Sequence, residues 1–261
     1  MPIDFTTPVT IADLIAIILS VIAIAIQFIQ WIWNKWGVKA HLNYDPMEQA
    51  ILFFNQTAAS VRIYGAFESE NKPSLIKKVN LTVTRRKDES RLKLSWGSFI
   101  SPTNYQVIGN QLTPTEIPHP LRVEADGILS IGIDFTDPSD AFGRTFRFKS
   151  STLFDKIPII MGSAAGYQQA KEAYQKLEEY AELKNFFYKE FFWDVGYYDL
   201  DIEVKFKKTS KHFFYTMSVS EQDNAGLLSN IDESLLARLK DFYRLPYNFY
   251  APAVEMRELR K

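Results

Sequence analysis

The run Leu14 to Asn34, LIAIILSVIAIAIQFIQWIWN, holds 21 residues without one charged side chain, bounded by Asp13 and Lys35. As a helix it is about 30 Å long, the thickness of a hydrocarbon core. Trp31, Trp33 and Trp36 crowd its C-terminal end, where aromatic side chains sit at the headgroup level. The segment before it carries no Lys or Arg, and no small-residue cleavage site follows, which argues against a removed signal peptide. The expectation is therefore a membrane-spanning helix over 14–36 after a short tail, 1–13. Asp4 and Asp13 flank one side, Lys35 and Lys39 the other, so positive-inside reasoning puts the N-terminus outside and the rest in the cytoplasm. The absence of cysteine agrees with a reducing compartment. Two sequons, at Asn55 and Asn80, carry no meaning on that side.

Within the run, polarity is patterned. Asp13, Ser20, Gln27 and Asn34 recur every seven residues, and Ala16, Ala23, Gln30 and Gly37 form a second series offset by three. A seven-residue repeat places all of them on one stripe of a helix. Lipid is a poor solvent for amides and hydroxyls, and small residues let helices approach closely. The stripe predicts a homo-oligomer of four or more copies facing its own axis, packed through Ala16 and Ala23 or enclosing a pore lined by Ser20, Gln27 and Asn34. The alternative is a plain anchor whose polar residues fall there by chance.

After the helix the period shortens to two. Candidate strands are 38–44, 50–54, 60–68, 78–84, 91–96, 106–108, 121–124, 127–135 and 145–149, separated by turn signals such as Asp45-Pro46 and Asp137-Pro138. This spacing predicts an antiparallel β-sandwich over 38–150, with Trp96 as a core anchor. An α+β part over 151–261 packs on it: a helix over 166–193, strands over 197–207 and 212–219, and a helical stretch from Leu227 to Phe242. The late hairpin either completes the sandwich or forms its own unit. Phe186, Phe187, Tyr188, Phe191, Phe192 and Trp193 read as core where helix meets sheet.

Catalytic chemistry finds little support. There is no Cys, and His41, His119 and His212 lie far apart in sequence, so no metal site and no cofactor is expected. Gly162 to Gly166 precedes a helix but lacks the Lys of a phosphate loop. Asp199, Asp201 and Glu203 share one face of a strand and read as the solvated side of an edge strand. No enzyme is expected. Two basic clusters, Arg85, Arg86 and Lys87 and then Lys205, Lys207, Lys208 and Lys211, sit at hairpin tips and are candidates for an anionic ligand, an oligonucleotide included; ordinary solvated charge is the plainer reading.

The layout, one polar-striped helix over 14–34 before a β-rich domain, resembles single-pass, membrane-anchored effectors of bacterial antiphage systems, the Hailong ion-channel effector among them. The resemblance implies an inner-membrane pore held closed by a regulatory protein or nucleic-acid oligomer on the cytoplasmic domain, with the lysine and arginine turns as its contacts. A membrane-tethered interaction module, with the helix as anchor only, is the competing expectation.

Overall fold

The computed structural model describes residues 10–32, 40–100, 105–107, 110–112, 115–206 and 209–259. Trp33, Asn34, Trp36, Gly37, Lys207 and Lys208 lie outside them.

Helix α1 (Ile11–Ile32) is long and apolar enough to cross a membrane, and every residue in it is exposed. It starts three residues before the uncharged run because Thr10 and Asp13 close a capping box. The Asp13 amide donates to Thr10 Oγ1 at 3.3 Å and the Thr10 amide to Asp13 Oδ2 at 2.9 Å.

The domain behind it is a closed barrel, not a sandwich. Eight antiparallel strands form the ring: β1 (His41–Asn55), β2 (Ala58–Glu70), β3 (Ser74–Arg85), β4 (Arg91–Ile100), β9 (Gly127–Thr136), β10 (Gly196–Phe206), β11 (Thr209–Val219) and β12 (Ala253–Glu258). Their order is β4-β9-β2-β1-β12-β11-β10-β3, and β3 returns to β4. The short strands β7 (Thr115–Glu116) and β8 (Leu121–Val123) extend β4 and β3, while β5 (Tyr105–Val107) and β6 (Asn110–Leu112) pair only with each other. Sandwich and barrel share the same period-two alternation, so the pattern alone does not separate them. The late hairpin decides it: β10 pairs with β3 along nine residues, and β12 bridges β11 to β1.

Alternation fills the interior. Leu52 and Phe54 of β1, Val61 and Ile63 of β2, Val79 and Leu81 of β3, and Leu200 and Ile202 of β10 are buried, as a packed eight-stranded barrel requires. Asp45-Pro46, expected as a turn, instead lies inside β1, where the register with β2 shifts between Pro46 and Ala50. Pro46 lacks an N–H and such an irregularity accommodates it. Trp96 is only half-buried; among the described residues the fully buried tryptophan is Trp193, whose Nε1 donates to the Phe53 carbonyl at 2.9 Å.

Antiparallel pairing fixes two ends. The proximal end carries the start of β1, which follows α1 after eight residues, and the tip of the β10–β11 hairpin. The distal end is covered by helices α2 (Ala141–Asp155), α3 (Ile157–Ser163), α4 (Tyr167–Gln175), α5 (Glu178–Glu190) and α6 (Glu221–Phe242). There Phe54, at the end of β1, meets Phe142 of α2, Phe187 of α5 and Phe191, with ring centroids at 6.0, 5.8 and 4.9 Å. The strand expected over 145–149 is part of α2. Thr145-Phe-Arg-Phe-Lys149 does alternate, but Phe142, Phe146 and Leu153 supply the helical face that wins, and Phe148 is left 83% exposed. The helix expected over 166–193 breaks at Lys176–Leu177 and stops at Glu190.

Candidate functional site

The polar stripe of α1 divides once its bonds are assigned. Asp13 is engaged by Thr10, whose hydroxyl also donates to it at 2.6 Å, and the Ser20 hydroxyl donates back to the Ala16 carbonyl at 2.8 Å. Both have an intrahelical reason to be where they are. The Gln27 and Gln30 side-chain amides make no hydrogen bond to any described residue, although each carries donors and an acceptor that hydrocarbon cannot satisfy. Ala16 and Ala23 share their face. Trp31 stacks on Phe28, centroids 5.8 Å apart.

The two basic clusters stand at opposite ends of the barrel. Arg85 pairs with Tyr198 in the sheet, and Lys205 lies seven residues further along the same strand β10, about 23 Å away. Arg85 donates to Asp88 at 2.8 Å, to Asp194 at 2.5 Å and to the Phe192 carbonyl at 3.2 Å, and lies over the Phe192 ring. Arg86 holds Asp199 at 2.5 Å and the Thr216 hydroxyl at 3.2 Å. Internal carboxylates thus occupy both guanidinium groups, and among the described residues Lys87 is the cation of that turn left for an external anion. At the other hairpin Lys205 lies 3.3 Å from Glu203, while Lys211 donates to the Leu42 carbonyl at 3.1 Å and sits over the Phe213 ring.

Asp199, Asp201 and Glu203 do face outward, but β10 is paired on both sides and is no edge strand. Each carboxylate meets a cross-strand partner: Arg86, His212 at 2.8 Å and Asn80 at 2.7 Å. Burial and, against it, bonds from Asn80 and Lys205 leave Glu203 below its ordinary pKa. The three therefore act as struts between strands.

Sequence reasoning passed over β12, because Val254 and Met256 are its only inward pair after Pro252. That short strand leaves a cleft of about 690 Å³ bordered by Asn43 to Glu48 of β1, Phe213 and Tyr215 of β11, and Glu255 to Glu258 of β12. At the distal end a second cavity, about 380 Å³, is lined by Asn55, Phe154, Arg238, Asp241 and Phe249 among others.

No family model and no curated protein matches the chain. Among solved structures it is similar to a family 123 glycoside hydrolase from Clostridium perfringens, a protein described for glycolipid glycan hydrolysis. The identity is 10% and the TM-score 0.29, over 70% of this chain and 27% of that one. A likeness of that size carries no argument about activity.

Proposed function

We propose that this protein is a single-pass membrane protein that self-assembles through α1, conducts ions along the axis of the assembled helices, and carries the barrel in the cytoplasm as its regulatory domain. The single observation behind the reading is the pair Gln27 and Gln30. They project side-chain amides for which no described residue is a partner from a helix whose other polar side chains, Asp13 and Ser20, are bonded within it, and an identical helix supplies the complementary amide. The orientation rests on Lys35 and Lys39. Residues 33–40 are too few to separate the end of α1 from the start of β1 by more than about 30 Å, which keeps the barrel close to that end of the helix. The resemblance to antiphage effectors suggests bacterial defence as the setting.

Planar-bilayer recordings of purified full-length protein test it. Cation-selective current that Gln27→Leu abolishes supports the reading; no current in any condition removes it. The tethered-module reading has one observation of its own. Asp13 and Ser20 already have intrahelical partners, so among the described residues the polarity of the stripe left unexplained is confined to Gln27 and Gln30.

A further inference from the structure

The distal cavity of about 380 Å³ is of a size that holds a small metabolite. Four pieces of chain enclose it. The β1–β2 turn gives Asn55 to Thr57, the end of α2 gives Phe154, and α6 gives Ala237, Arg238 and Asp241. The segment that leads from α6 to β12 adds Tyr247 and Phe249.

Its chemistry divides in two. One side is aromatic. Phe154 packs against the core, while Tyr247 and Phe249 stand 47% and 39% exposed with ring centroids 6.0 Å apart. The other side carries one cation and one anion a turn apart on α6. Such a pair is within reach of itself on a helix surface, yet these two groups bond elsewhere. The Arg238 guanidinium lies over the Phe242 ring at 5.6 Å and meets no carboxylate among the described residues. Asp241 accepts the Tyr247 hydroxyl. It stands in the last turn of α6, where the helix dipole also favours a positive charge. Ser234, one turn before Arg238 on the same stripe, is buried, and its hydroxyl has no hydrogen-bond partner among the described residues. Its carbonyl accepts from Gln56 Nε2 at 2.8 Å, which ties the β1–β2 turn to the helix.

We propose that this cavity binds a free α-amino acid with an aromatic side chain, held as the zwitterion. Arg238 takes the carboxylate in the bidentate geometry that a guanidinium offers. Asp241 takes the ammonium, and the ligand ring lies against Phe154, Tyr247 and Phe249. The balanced pair on α6 selects a ligand with both charges, because a simple anion meets Asp241 and a simple cation meets Arg238. A bound amino acid would link the β1–β2 turn and α6 to the segment leading into β12, the strand that closes the barrel. The inference does not depend on ion conduction.

Isothermal titration of full-length protein in detergent tests it. The probes are L-phenylalanine and three analogues that each lack one part: phenethylamine the carboxylate, hydrocinnamate the ammonium, and L-alanine the ring. Phenylalanine is expected to bind, and each analogue to bind roughly tenfold more weakly or worse. Arg238 is exposed, so Arg238→Gln should keep the thermal midpoint; it should weaken phenylalanine several-fold and leave phenethylamine unchanged. Asp241→Asn keeps an acceptor for Tyr247. It should weaken phenylalanine and leave hydrocinnamate unchanged. The proposal is overturned by no binding at millimolar phenylalanine, by an analogue that binds as well as phenylalanine, or by undiminished phenylalanine binding in either variant. None of these readings involves current, so the pore and the cavity fail separately.

Discussion

Glu233 and Lys240 of α6 form a salt bridge at 2.6 Å with side chains only 13% and 10% exposed. The same carboxylate accepts the Asn248 amide at 2.7 Å, and the ammonium reaches the Pro246 carbonyl at 3.4 Å. The pair fastens the segment that leads from α6 to β12, and so holds the strand that closes the barrel.

Removing one partner leaves a buried charge uncompensated, at a cost of about 3 kcal/mol or more. Lys240→Ala is therefore expected to lower the urea midpoint strongly, followed by Trp193 fluorescence in detergent. Glu233→Gln with Lys240→Met keeps the acceptor for Asn248 and buries no charge. It should recover most of the loss, and a double variant as unstable as Lys240→Ala would refute this account.

Gly226 of α6 faces the ring of Tyr250 so closely that a Cβ there overlaps Cδ1, Cε1 and Cγ. The ring has little freedom to retreat. Tyr250 exchanges two bonds with Asn230, at 2.7 and 2.8 Å, and its hydroxyl reaches Asp223 at 3.0 Å. Gly226→Ala, favourable in an isolated helix, is expected instead to destabilise by about 1 to 3 kcal/mol through overpacking. Thermal unfolding of Gly226→Ala beside Gly226→Ala/Tyr250→Ala separates the two effects: the helix preference should reappear when the ring is gone.

At the β3–β4 turn the Arg85 guanidinium, then the Ser90 hydroxyl and amide, hold the Asp88 carboxyl well below the usual carboxylate range. The folded value lies under the unfolded one, so the stabilising contribution is complete at neutral pH. It is lost as pH falls from ~4 toward the depressed folded value. Protection factors of the Arg85 and Ser90 amides, taken against intrinsic rates that themselves slow in acid, should fall below pH ~4, and Asp88→Asn should show a flatter acid limb. Identical acid limbs would assign the turn's stability elsewhere.

The helix and most strands were legible because their periods are strong: Leu14 to Asn34 is uninterrupted, and Tyr198, Leu200, Ile202 and Val204 alternate cleanly. What failed to read were features set by distant partners. Closure into a barrel depends on β10 pairing with β3, more than a hundred residues earlier, and on six residues of β12, and neither leaves a local signature. At 145–149 a short alternation competed with a longer helical face and lost to it. The β3–β4 turn read correctly as a turn, but that Arg85 and Arg86 meet Asp194 and Asp199, more than a hundred residues away, is information only the fold supplies.

Assembly through α1 makes the sharpest prediction, because the chain has no cysteine to confuse a crosslinking scan. With 3.6 residues per turn, Ser20, Ala23, Gln27 and Gln30 share a face, and Ile22 and Ile26 lie off it. Single cysteines at Ser20 or Ala23 should crosslink in membranes; at Ile22 or Ile26 they should do so far less. Gln27→Leu removes an amide whose alternative to an interhelical partner is none, so it should loosen the oligomer if amide pairing holds it together. If shape packing around Ala16 and Ala23 dominates instead, Gln27→Leu leaves the oligomer intact and Ala23→Leu breaks it. Interhelical hydrogen bonds of this kind are worth about 0.6 to 2 kcal/mol, so the loss should appear as a shift in the dilution midpoint and not as complete dissociation. Asp13→Asn tests the outer end: it spoils the Thr10 capping box and frays the first turn, yet should leave crosslinking at Ala23 unchanged, since the cap and the interface are ten residues apart. Equal crosslinking at all four scanned positions, or a monomer that resists both Gln27→Leu and Ala23→Leu without change, would reduce α1 to an anchor.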